Sequence, residues 1–138
     1  YRFAFTYVKN REDAEDVVSE SMIKAMKYIG SLKNPQNIKA WFYKIISNTA
    51  LNFIKKRNRT VSIDDSTLIP AANDDYSEIN LESILNCLEQ KYREIVVLRF
   101  LEDMKIGEIA QILEINENTV KTRLYKALKV LRAEMEDY

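Results

Sequence analysis

Apolar side chains recur at three- and four-residue steps along most of the chain, and that spacing admits helices and almost no strands. From Asp13 onward, Ala14, Val17, Val18, Met22, Ala25, Met26 and Ile29 follow one another at those steps, which predicts one helical face turned to a core. Gly30 ends it. The segment 31–37 has the Ser, Asn and Pro of a loop, and a second helix is expected from about Ile38 to Lys56, burying Phe42, Ile45, Ile46, Thr49, Ala50 and Phe53. Shorter helical patterns run from Ile79 to Leu88 and from Tyr92 to Leu101. A last pair, Lys105 to Leu113 and Glu117 to about Glu134, flanks the turn Glu114-Ile115-Asn116. The expected fold class is all-α.

The periodicity lapses between Val61 and Asn80, and the charges are sorted around that gap. Its 21 basic and 21 acidic residues cancel over 138 positions, but Tyr1 to Arg59 holds 12 basic against 5 acidic side chains. Thr60 to Gln90 holds 7 acidic residues and no Lys or Arg, and the remainder holds 9 of each sign. A basic block suits a polyanion, and an acidic block of low apolar content suits a solvated connector. Two small helical domains, 1–59 and 78–138, joined by an acidic flexible linker, 60–77, are therefore expected.

Small counts exclude several chemistries. With no His and one Cys, the chain cannot write a Ser-His-Asp triad, a Cys-His pair or an ordinary zinc site. Gly30 and Gly107 are isolated, so no phosphate-cradling loop can be written either. We expect no catalytic residues, no metal and no cofactor. Cys87 lies in an apolar stretch and reads as a small buried hydrophobe of a reducing cytoplasm. No run approaches the ~18 apolar residues of a membrane span, and the start lacks both a signal-peptide pattern and an initiator Met, as expected of a cytoplasmic chain trimmed at its N-terminus.

Two helix faces carry residues that a core does not need. Trp41, Lys44, Asn48, Asn52 and Lys55 align on the side of their helix opposite the apolar stripe, and Lys56, Arg57 and Arg59 extend the positive surface. Lys suits phosphates, Asn suits base edges, and an aromatic ring stacks on an unpaired base. A Trp packed under a loop is the plainer reading of the same face. In the last third, Ile106, Ile109, Ala110 and Leu113 point inward, Ile115 plugs the turn and Asn116 can cap the next helix. Val120, Leu124, Leu128 and Leu131 are expected in the core, leaving Asn118, Lys121, Thr122, Tyr125, Lys126, Lys129 and Arg132 outside. That is a helix-turn-helix pattern; a helical hairpin for protein contacts is the alternative.

Three ordered motifs together resemble a known family: Asp13-Ala14-Glu15-Asp16-Val17-Val18-Ser19-Glu20, Ala40-Trp41-Phe42-Tyr43-Lys44-Ile45 with Asn48-Thr49-Ala50, and the run Asn118 to Leu128. They are similar to the extracytoplasmic-function sigma factors of the bacterial sigma-70 family, over nearly the whole chain. The resemblance implies a dissociable subunit that binds the clamp coiled coil and flap of core RNA polymerase and directs promoter-specific initiation in a stress or envelope response. It implies a partner anti-sigma factor and no membrane insertion. Asp13, Asp16 and Glu20 would dock on the clamp, with Ser19 where the family commonly has Gln. Trp41, Lys44, Asn48, Asn52, Lys55, Lys56 and Arg57 would serve the minus-ten element, Trp41 and Phe42 at the melting edge and Asn48 beside a flipped base. Asn118, Lys121, Thr122, Arg123, Tyr125 and Lys126 would serve the minus-thirty-five element, Arg123 through phosphate. Glu114 stands where many such turns have Gly, which points to a strained backbone or an altered turn.

Two rival classes use the same residues. A one-component helix-turn-helix regulator would need a dimerisation helix, and no spare amphipathic helix is available. A helical metal-dependent phosphohydrolase could use Glu12, Asp13, Glu15, Asp16 and Glu20, although acidic stripes are more often solvated or docking faces.

Overall fold

A computed structural model of the chain describes residues 1–60 and 83–136, with Thr60 described in its backbone only. These residues are mostly helical with no strand among them, and they separate into two compact units, the first holding the described residues up to 60 together with Gln111–Glu114 and the second the other described residues from 83 on. The expected linker lies almost wholly outside the described residues. Among them, no helix is long and apolar enough to cross a membrane.

The first unit packs three helices pairwise: α1 (Arg2–Val8), α2 (Arg11–Tyr28) and α3 (Ile38–Thr60). A left-handed Lys9, φ 55°, stops α1, and its N–H donates to the Phe5 carbonyl. Asn10 then caps α2 by accepting from the Asp13 N–H at 3.1 Å. Two short 3₁₀ turns, Ile29–Ser31 and Pro35–Asn37, carry the chain to α3, with Asn34 capping the second. Inside, Ala14, Val17, Ser21, Ala40, Ile46, Ser47, Thr49 and Ala50 are buried, and such small side chains let helices cross closely. Phe3 fills the remaining space, its ring stacked on Tyr43 at 5.6 Å and edge-on to Tyr7 at 5.3 Å.

This core differs from the expected stripe. Met22, Met26 and Ile29 are 54%, 78% and 50% exposed, and Ser21 takes the inward place. The apolar arc of α2 is wider than its contact with α1 and α3, so the small residues reach the crossing and the long ones fall outside it. Phe42, Ile45 and Phe53 are half-buried rather than core, and α3 continues past Lys56 to Thr60.

The second unit begins with helical residues 83–86 and continues through α4 (Gln90–Val96), α5 (Ile106–Leu113) and α6 (Glu117–Glu136). After α4 the backbone widens into a π-turn over Val97–Leu101, closed by the Glu102 N–H on the Val97 carbonyl. Ile95, Val97, Leu98, Met104, Ile109, Ile112 and Val120 form the core, and Leu88 and Val96 cluster with Ala127. Ala127 occupies the place expected of Leu128, which is 42% exposed: a small residue lets α6 approach closely, and the leucine one step on is turned to the rim. Cys87 is exposed rather than buried, its thiol directed to the Ser83 carbonyl.

Arg93 is the unexpected member of this core, 5% exposed. Its guanidinium donates to the Leu88 carbonyl at 2.7 Å and to the Leu85 carbonyl at 3.0 Å, the latter also accepting from the Leu88 N–H at 3.0 Å where the preceding helical residues end. Burial pushes its pKa down from the ordinary value, yet a guanidinium remains charged in proteins. Arg93→Met keeps part of the stem and takes away the donor of the Leu88 carbonyl, so it should cost about 1–3 kcal/mol in urea unfolding followed by circular dichroism. A loss below about 0.5 kcal/mol would show that this carbonyl finds another donor.

Candidate functional site

Packing fixes which way α3 faces. Ser47 shares a hydrogen bond of 3.1 Å with the Tyr7 hydroxyl, and Thr49 accepts from Lys24 Nζ at 3.2 Å. These two ties bracket Asn48, which is exposed on the opposite side with Asn52, Lys55 and Lys56. Trp41 and Lys44 on the same side are half-buried. Leu51, 44% exposed, shares this face, three residues after Asn48 and four before Lys55.

Trp41 is half-buried. With Phe42 it forms one wall of an open apolar depression whose other wall is Met22, Ala25, Met26, Ile29 and Ile38. The exposed methionines of α2 thus have a place in a concave surface, and methionine adapts its shape to what it meets.

The acidic stripe of α2 divides by partner. Asp16 and Glu20 are exposed; Glu20 lies 3.6 Å from Lys24 one turn on. Asp13 and Arg57, expected to serve polymerase and DNA respectively, meet one another at 3.2 Å. Glu15 pairs with Arg11 at 3.3 Å. The carboxylates are thus spread over separate cations, and among the described residues no three His, Cys, Asp or Glu side chains converge to hold a metal.

In the second unit the turn before α6 is closed by backbone geometry. Glu114 adopts φ 56° and the Ile115 N–H donates to the Ala110 carbonyl at 3.1 Å, a helix-ending loop that ordinarily favours glycine. The strained residue expected at Glu114 is therefore present. Asn116 caps α6 by accepting from the Asn118 N–H at 2.7 Å. Gly107 lies beside the exposed Glu117 carboxylate: a Cβ there would lie 3.1 Å from Oε1, a contact that the flexible side chain relieves.

With Val120 and Ala127 inward, Lys121, Thr122, Tyr125, Lys126 and Lys129 line a shallow concavity on α6. Tyr125 is 81% exposed, so the fold makes little use of its ring. Thr122 donates its hydroxyl to the Asn118 carbonyl at 2.9 Å and keeps a methyl for apolar contact. Asn118 is exposed at the helix start, and Arg123 is half-buried at the flank. Cations, a hydroxyl and a projecting aromatic on one helix face match the reading of base edges in a major groove.

Comparison with known proteins gives the family. Residues 1–60 match the family model for sigma-70 region 2, and residues 78–131 that for sigma-70 region 4. RNA polymerase sigma factor SigV of Bacillus subtilis (strain 168) is 46% identical over 138 residues, spanning 98% of this chain and 83% of that protein. ECF RNA polymerase sigma factor SigW of the same organism is 26% identical, spanning 99% and 83%. Among solved structures, the sigma factor RpoE of Bartonella quintana, in complex with the anti-sigma factor NepR, superposes with a TM-score of 0.80 at 25% identity, over 98% of this chain and 88% of that one. A helix-turn-helix with an exposed polar face, a helix of the first unit that exposes Asn48 and lines an apolar depression with Trp41, and these matches along both units lead to one assignment: the chain belongs to the sigma-70 family, as an extracytoplasmic-function sigma factor.

Proposed function

We propose that the two helix faces divide promoter recognition by the state of the DNA. The α3 face takes the minus-ten element as an opened strand, and the α6 face takes the minus-thirty-five element as duplex. The observation that carries this division is the setting of Trp41 and Asn48. An amide held between two anchored neighbours, close in sequence to an aromatic ring at an apolar depression, fits a base removed from its stack. Extracting that base costs a few kcal/mol, which stacking and amide hydrogen bonds offset. Lys44, Asn52, Lys55 and Lys56 track the adjoining backbone. On α6, Lys121, Thr122, Tyr125 and Lys126 reach base edges, while Asn118 and Arg123 hold phosphates.

Asp16 and Glu20 dock on the clamp coiled coil of core RNA polymerase, and the second unit meets the flap. Both carboxylates are exposed and neither supports the core, as a docking surface requires. The chain directs core polymerase to promoters, and it therefore works in the cytoplasm. The solved neighbour in complex with an anti-sigma factor supports the same class of partner here. The one-component regulator loses its basis, because the family matches cover the first unit as well as the helix-turn-helix.

Reversing the docking charges, Asp16→Lys with Glu20→Lys, should weaken co-purification with core polymerase by about tenfold or more and leave the circular dichroism unchanged. Undiminished co-purification would remove the docking role, and lost helicity would make these residues structural. Reading and holding separate in a selection on randomised promoters. Lys126→Ala should lose about 1–3 kcal/mol of discrimination at particular minus-thirty-five bases, whereas Lys55→Ala should weaken all promoters alike and reduce the salt slope by about 1. A uniform loss from Lys126→Ala would reclassify it as a phosphate contact.

A further inference from the structure

Arg57 lies in the last turn of α3, among the exposed Lys55, Lys56 and Arg59. Its own guanidinium is directed inward. Nη1 donates to Asp13 Oδ2 at 3.2 Å and to the Val8 carbonyl at 3.4 Å. Val8 is the last residue of α1, whose terminal carbonyls lack helical donors, and Asp13 stands in the first turn of α2. A cation at one helix end and an anion at another are each favoured by the helix dipoles, so this contact joins three helix termini at one point. The pair is partly shielded, with side-chain exposures of 39% for Arg57 and 25% for Asp13, and is less screened by salt than a surface bridge.

The geometry points to Asp13 and Arg57 as a pair of positioning residues, acting through one another to hold the basic last turn of α3 against the α1–α2 corner. A helix end without such an anchor frays, because its final carbonyls and side chains are ordered by nothing further along the chain. Held in place, Lys55, Lys56 and Arg59 present their charges at a fixed angle to Asn48. Released, they order only on contact with DNA and lose affinity by that ordering. This assignment rests on the reading of α3 as the minus-ten surface, and it gives Asp13 and Arg57 a shared task where the sequence implies separate ones.

A mutant cycle in the assembled holoenzyme tests it, using Asp13→Asn, Arg57→Gln and the double variant. Binding to core and to a single-stranded minus-ten oligonucleotide is read by fluorescence anisotropy, and backbone order by hydrogen–deuterium exchange. Each single variant should lose oligonucleotide affinity by about fivefold with core affinity unchanged, and the double variant should lose no more than the worse single one. Amides of residues 54–60 should exchange at least about tenfold faster in all three, with those of α6 unaffected. Multiplying losses with unchanged exchange would overturn the pairing and return the residues to separate partners. Wild-type affinity in all three would show that the pair positions nothing. Failure of the wild-type holoenzyme to bind the oligonucleotide would instead overturn the minus-ten reading itself.

Discussion

The close approach of α3 to α1 and α2 is the constraint on which the first unit depends. It is possible because the crossing residues are small: Ala14 and Ser21 on α2, and Ala40, Ser47, Thr49 and Ala50 on α3. Small side chains bring backbones together and leave few polar groups to satisfy. The hydroxyls that do enter are bonded, Ser21 to the Val17 carbonyl at 2.7 Å, Ser47 to Tyr7 and Thr49 to Lys24. These directional contacts set the rotation of α3 about its axis more firmly than apolar packing alone could. Once the rotation is set, the outward side is set too, and Trp41, Asn48, Asn52 and Lys55 follow from it.

The second unit uses the same device with different residues. Val120 and Ala127, two turns apart, fix the inner side of α6. The left-handed Glu114 and the Asn116 cap then determine where α6 starts. A helix whose start and rotation are both fixed presents Lys121, Thr122, Tyr125 and Lys126 as a rigid set, and rigidity is what a discriminating contact to a base requires.

The α6 surface was legible in the sequence because its polar and apolar residues alternate sharply and its cap stands next to its turn. The α2 core was not. Its apolar arc includes Met22, Met26 and Ile29 as well as Ala14 and Val17, and periodicity alone cannot say which part of a wide arc meets a partner. The same limit misplaced Leu128, since volume at the crossing, not hydrophobicity, selects Ala127 for the interior. Arg93 and the Asp13–Arg57 pair left no periodic trace at all. One satisfies carbonyls at the end of a neighbouring helical segment, and the other joins positions 44 residues apart. Glu114 shows the opposite case: a residue out of keeping with its turn was visible before the backbone angle was known.

On the proposed reading the two faces ask for different DNA. An exposed amide on the helix whose Trp lines an apolar hollow suits an unpaired base, while cations around an exposed Tyr suit a groove. A protein that used both in this way would hold a promoter part open and part closed, which requires an enzyme that opens it. Run-off transcription with purified core polymerase on a library of genomic fragments measures this most directly. The account predicts transcripts that depend on the added chain and share one pair of spaced upstream elements. Transcription no greater than that of core polymerase alone, with the isolated chain binding duplex tightly and specifically as a dimer, would contradict it.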